Sequence, residues 1–103
     1  MKAMDGEKPM DGDLRQAVVR IVSEVLVVPE QAVGPDSALV AELGAESIDF
    51  LDLIFRLEEQ LGVRIPVERW DAYMRARQPP FDPATDITPE LVLAFATEVT
   101  GSA

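Results

Sequence analysis

Leu43-Gly44-Ala45-Glu46-Ser47-Ile48-Asp49-Phe50-Leu51-Asp52-Leu53-Ile54 is the stretch on which the fold of this chain turns. Gly44 can take the positive φ that ends a preceding short turn. Glu46 or Ser47 can then cap a helix running from about Ile48 to Gln60. This order sets Ser47 at the positive end of a helix, with its hydroxyl near solvent. An anionic group attached there is favoured by the helix dipole.

The helix itself reads as amphipathic. Its predicted inward face is Leu51, Ile54, Phe55 and Leu57 or Glu58, continuing to Leu61. Its predicted outward face is Asp49, Asp52, Arg56 and Glu59. Phe50 and Leu53 fall between the two, about one turn from Ser47, and burial against the loop before them competes with an exposed role. From Asp36 to Glu59 there are seven acids and one base, Arg56, which is more than half of the chain's net charge of −10. A solvated helix face is the plain reading of such a stripe. A docking surface that steers partners with basic patches is the competing reading.

Working outward, residues 1–12 are polar, contain Gly6, Pro9 and Gly12, and read as a flexible tail. Asp13 is the expected N-cap of a first helix, about Leu14 to Val27, with Leu14, Val18, Ile21, Val22, Val25 and Leu26 on one stripe. Residues 29–46 form a long connection broken by Pro29, Gly34 and Pro35. Within it, Asp36-Ser37 can cap a short turn that buries Leu39 and Leu43. Gly62 is placed to stop the second helix. Val67 to Arg77 reads as a third helix with Val67, Trp70, Tyr73 and Met74 inward. Gln78 to Asp86 is a proline-rich loop that Phe81 pins to the body. Thr88 then caps a last helix, Pro89 to Val99, with Leu91, Val92, Phe95, Ala96 and Val99 inward. The expected fold is all-α: a small antiparallel four-helix bundle with a long first crossover loop, one domain over residues 13–101.

Composition narrows the function. The 103 residues suit one small domain, and 48% hydrophobic residues suffice for a core. Cysteine and histidine are both missing, which removes disulfides, the usual serine triad and most zinc sites, so no metal is expected. The acidic balance argues against nucleic acid and anionic membranes as partners, and Arg64, Arg69, Arg75 and Arg77 do not reverse it. No stretch is apolar enough to insert in a membrane, and the first residues lack the apolar region of a signal peptide, so a cytoplasmic monomer is expected.

Glu46-Ser47-Ile48-Asp49 resembles the Asp-Ser-Leu-Asp signature of the acyl carrier protein family. The resemblance runs from Asp36-Ser37 through Leu43-Gly44, along Phe50 to Glu59, to Leu61-Gly62-Val63-Arg64-Ile65-Pro66. Its departures are Glu46 for the usual Asp, Ile48 for the usual Leu, and an added stretch between Trp70 and Asp86. The resemblance implies a 4′-phosphopantetheine arm on Ser47, installed by a separate phosphopantetheinyl transferase. It implies acyl intermediates of fatty acid or specialised lipid synthesis, held as thioesters and presented to acyl-loading and acyl-processing enzymes. Partner contacts would fall on Glu46, Asp49, Phe50, Asp52, Leu53, Arg56 and Glu59. An acyl chain entering the core would meet Leu51, Ile54, Phe55, Trp70 and Tyr73.

Catalysis by Ser47 itself is not expected. A nucleophilic serine needs a base within reach, and Lys2 and Lys8, the two lysines, sit in the tail. The elbow motif Gly-x-Ser-x-Gly is missing. A carrier that is not an enzyme is therefore the reading. The alternatives are a free-standing carrier of aminoacyl or polyketide units, and an unmodified acidic helical adaptor.

Overall fold

The computed structural model describes residues 11–101. Its helices are α1 (Asp11–Leu26), α2 (Ser47–Leu61), α3 (Val67–Arg75), α4 (Pro83–Asp86) and α5 (Pro89–Gly101), with a 3-10 turn at Glu30–Ala32. Among the described residues there is no strand. The fold is the expected all-helical bundle, enlarged by the small α4.

α1 starts three residues earlier than expected, at Asp11 instead of Leu14, so Asp13 lies within its first turn instead of capping it. A carboxylate there still complements the helix dipole. Residues 11 and 12, assigned to the tail, belong to the helix, and the rest of the tail lies outside the described residues. α1 ends before Pro29, as expected. Val27 takes φ 56°, and the Val28 N–H donates to the Ser23 carbonyl at 3.1 Å. That six-to-one closure is the usual helix stop, made here without glycine.

The core gathers Val18, Ile21 and Val22 of α1, Leu53, Ile54 and Leu57 of α2, Trp70 of α3, and Val92, Phe95 and Ala96 of α5. α1 packs on α2 and on α5, and α2 packs on α3. Each fully buried large apolar side chain contributes about 1.5–3 kcal/mol. No polar side chain among the described residues is fully buried.

The long connection lies over the bundle and is tied to the far end of the chain. The Leu39 N–H donates to the Ile87 carbonyl at 2.9 Å, and the Ala41 N–H donates to the Ala84 carbonyl at 3.0 Å. The Glu90 N–H donates to the Pro35 carbonyl at 3.2 Å. Leu39 is wholly buried and Leu43 half-buried. Asp36-Ser37 does not cap this turn. Ser37 instead accepts from the Gly34 N–H at 2.9 Å, and the Glu42 carboxylate accepts from the Ala38 N–H at 3.3 Å.

α3 stops at Arg75, short of the expected Arg77. The Arg77 guanidinium folds back, donating to the Tyr73 carbonyl at 3.2 Å and lying 4.2 Å from the Tyr73 ring centre. The predicted proline-rich loop contains α4, whose first N–H groups are served by Asp82: it accepts from the Ala84 N–H at 3.0 Å, with Pro83 at the first helical position. Phe81 packs against the core, as expected. Thr88 caps α5, its hydroxyl accepting from the Leu91 N–H at 3.2 Å.

Candidate functional site

The turn before α2 is fixed by backbone bonds. The Glu42 and Leu43 N–H groups donate to the Ala38 carbonyl at 2.9 and 3.1 Å, and the Ala45 N–H donates to the Leu39 carbonyl at 2.8 Å. Gly44 takes φ 81°, a left-handed conformation that disfavours any side chain. Ala45 is buried, which anchors the turn one residue before the cap. Glu46 is the N-cap, and its N–H donates to the Asp49 carboxylate at 2.8 Å. Ser47 is therefore the first residue of α2, and it is exposed. Among the described residues its hydroxyl has no hydrogen-bond partner.

α2 is rotated relative to the sequence expectation. Its buried residues are Leu53, Ile54 and Leu57, with Phe50 and Leu61 half-buried beside them. Leu51 and Phe55 were expected inside but are 48% and 66% exposed. Ile48 is 68% exposed. At about 100° per residue the apolar positions of this helix cover an arc of roughly 220°, more than one core contact can bury. The core takes the half centred on Leu57. Ile48, Leu51 and Phe55 are left as a second apolar stripe facing solvent, and Val67 of α3 joins it at 40% exposed. A groove of about 430 Å³ runs there, lined by Leu51, Ile54, Phe55, Ile65, Pro66 and Val67, together with Asp52, Glu58 and Arg64.

Two expected placements are corrected by this rotation. Leu53, 2% exposed, is core and cannot touch a partner. Leu51 and Phe55 do not point into the bundle, so of the five residues expected around an internal chain only Ile54, Trp70 and the half-buried Tyr73 face inward. Phe50 is half-buried and stacks on Trp70. The exposed Ile48 was not among the sequence candidates. Its signal was present in the i, i+3, i+7 spacing with Leu51 and Phe55.

The charges on α2 are less free than the sequence count suggests. Arg56 Nε donates to Asp52 and its Nη1 to Glu24 of α1, both at 3.0 Å. The Asp52 hydrogen bond, with the attraction of Asp52 and Glu24, holds the Arg56 guanidinium above its usual pKa. Glu58 turns toward the following loop and accepts from the Ile65 N–H at 2.6 Å. Glu46, Asp52 and Glu59 remain exposed, and Asp49 is half-buried at the cap.

The structure thus presents one exposed serine hydroxyl, at the opening of a long helix and directly after a glycine turn. Residues 16–73 match the model of the phosphopantetheine attachment site family, more than half of the chain, and the chain belongs to that family. The group that such a site takes is 4′-phosphopantetheine, bound covalently. The chain is similar to acyl carrier proteins AcpXL. It is 34% identical over 53 residues to the one from Rhizobium meliloti (strain 1021), covering 52% of this chain and 56% of that protein. It is 30% identical over 53 residues to the one from Mesorhizobium japonicum, covering 52% and 57%, and 34% identical to that of Brucella melitensis biotype 1 over the same shares. These matches span little more than half the length of the relatives.

The residues at the turn fit the prosthetic group. An accessible alcohol is what a phosphodiester bond to the arm requires. The first turn of a helix offers N–H groups and a positive dipole end to the phosphate. The acids Glu46 and Asp49 oppose that charge, and Asp49 is partly occupied by the Glu46 N–H.

Proposed function

We propose that the chain is an acyl carrier protein whose Ser47 holds the 4′-phosphopantetheine arm. The arm supplies a thiol that carries acyl groups as thioesters. The chemistry of loading and processing belongs to other enzymes, and a phosphopantetheinyl transferase attaches the arm. Within this chain, Gly44 and the Glu46–Asp49 pairing hold the serine outward, clear of the bundle. The observation that carries the reading is the exposed Ser47 hydroxyl at the start of α2, inside the family match.

Partner enzymes dock on the outward side of α2. Ile48, Leu51, Phe55 and Val67 offer apolar contact, and Asp52, Glu59 and Glu46 attract basic groups around it. Intact mass after coexpression with a broad phosphopantetheinyl transferase tests the reading. A gain of one phosphopantetheine is expected, and its loss in Ser47→Ala. An unchanged mass with several transferases refutes the carrier and leaves an acidic helical adaptor.

A further inference from the structure

The apolar groove beside α2 lies in line with Ser47. Leu51, Ile54, Phe55 and Glu58 follow the serine by four, seven, eight and eleven residues, which keeps them on one side of the helix. Ile65, Pro66 and Val67 line the groove from the start of α3. From Leu51 to Glu58 it runs along about two helical turns, roughly 10 Å.

Three charged side chains line this groove, and two of them are already engaged. Asp52 accepts from Arg56 Nε at 3.0 Å, and Glu58 accepts from the Ile65 N–H at 2.6 Å. Arg64, the third, is exposed and makes no hydrogen bond or ion pair among the described residues. On a chain of net charge −10, the charge left open at the groove is therefore positive. A guanidinium presents a planar fork of N–H donors that matches the two oxygens of a carboxylate.

We propose that the groove seats an amphipathic helix of a partner protein, which brings apolar side chains to Leu51, Phe55 and Val67 and a carboxylate to Arg64. The inference rests on the carrier reading and deepens it by naming the charge pattern of the partner: basic where it faces Glu46 and Glu59, acidic at the groove. Helices that lie in apolar grooves anchor through side chains at i, i+4 and i+7, a spacing that suits a groove two turns long. The half-exposed Leu51 and the more exposed Phe55 supply contact area. Arg64 supplies selection, because a partner with basic groups alone sets one of them against it.

A peptide probe added to the whole protein tests this. The peptide is an alanine-based helix of about 18 residues, long enough to form in water. It carries leucines at i, i+4 and i+7 and a glutamate one turn beyond; two companions carry glutamine or lysine in place of the glutamate. Binding is read from the backbone amide resonances of Phe55, Ile65 and Val67. The chain's overall charge by itself favours the lysine peptide. The expected order is the reverse, with the glutamate peptide tighter than the glutamine one by about twofold to fivefold, the range of an exposed ion pair. Arg64→Gln should level the two, and Arg64→Glu should make the lysine peptide the tightest. Arg64 is exposed, so both variants keep the core, which Trp70 fluorescence verifies. A lysine preference in the unaltered protein, a glutamate preference that survives Arg64→Gln, or no shift at the groove with any peptide overturns the proposal. Intact mass after treatment with a broad transferase separates this from the carrier reading. A chain that gains the arm but prefers lysine loses this inference alone; a chain that gains no arm loses the carrier reading and this inference with it.

Discussion

Truncating Leu53 and Leu51 in turn asks which side of α2 faces the core. Leu53 is 2% exposed, Leu51 is 48% exposed, and only Asp52 lies between them on the same helix. Leu53→Ala removes a fully enclosed side chain and leaves a cavity that the bundle cannot wholly close, a loss of about 3 kcal/mol. Leu51→Ala removes a side chain already half in water, with no enclosed cavity left behind. Its cost is about 1 kcal/mol at most. For a small domain with a urea m-value of about 1.5 kcal/mol/M, these become midpoint shifts of about 2 M and about 0.7 M at most. Urea unfolding followed by Trp70 fluorescence reads both, because Trp70 is buried against Phe95 and gains water on unfolding. Turnover by a partner enzyme should show the opposite order, with Leu51→Ala slower than the unaltered protein and the folded Leu53→Ala close to it. Equal destabilisation by the two variants refutes the placement of α2, and with it the assignment of Ile48, Leu51 and Phe55 to a docking face.

Three further outcomes follow from the turn and the charges. Gly44→Ala meets nothing within 4 Å but forces a Cβ onto φ 81°, so it should cost about 1–2 kcal/mol in urea unfolding; a neutral result removes the conformational role given to this glycine. Asp49→Ala deletes the acceptor of the Glu46 N–H and should cost about 1 kcal/mol, with faster amide exchange confined to the start of α2. Exchange that stays unchanged there means that the pairing does not hold the helix end. Arg56→Ala releases Asp52 and Glu24 on the exposed surface, so stability should change by less than about 1 kcal/mol. Association with a basic partner should become faster at low salt and more salt-dependent; a slower, salt-insensitive association refutes steering by this face.

Much of the fold was legible because its signals are local. Thr88-Pro89, Gly44 and Gly62 mark their boundaries through cap and φ preferences, and each boundary lies where those preferences put it. The rotation of α2 was not legible. Ile48, Phe50, Leu51, Leu53, Ile54, Phe55, Leu57 and Leu61 are all apolar, and periodicity alone cannot choose which half of so wide an arc meets the core. That choice is made by contacts with α1, α3 and α5, which are distant in sequence. The short α4 was missed although Asp82-Pro83 is a sound helix start, because the prolines around it weigh toward a loop. At the site, the place of Ser47 on the helix end was legible from Gly44 and the acids beside it. The engagement of Asp52 by Arg56 was open to the i, i+4 spacing, whereas the bond to Glu24 joins two helices that only folding brings together.

The hydrogen bonds from Leu39 and Ala41 to Ile87 and Ala84 make the final quarter of the chain a foundation for the turn that carries the serine. The family match stops at residue 73, before that foundation begins. The unit that holds this turn in place is therefore larger than the portion recognisable by kinship. A fragment cut at the limit of the match would leave the Leu39 and Ala41 amides seeking water, and the serine would sit on a drifting loop. Any transplantation of this serine turn into another protein has to bring α4 and α5 with it.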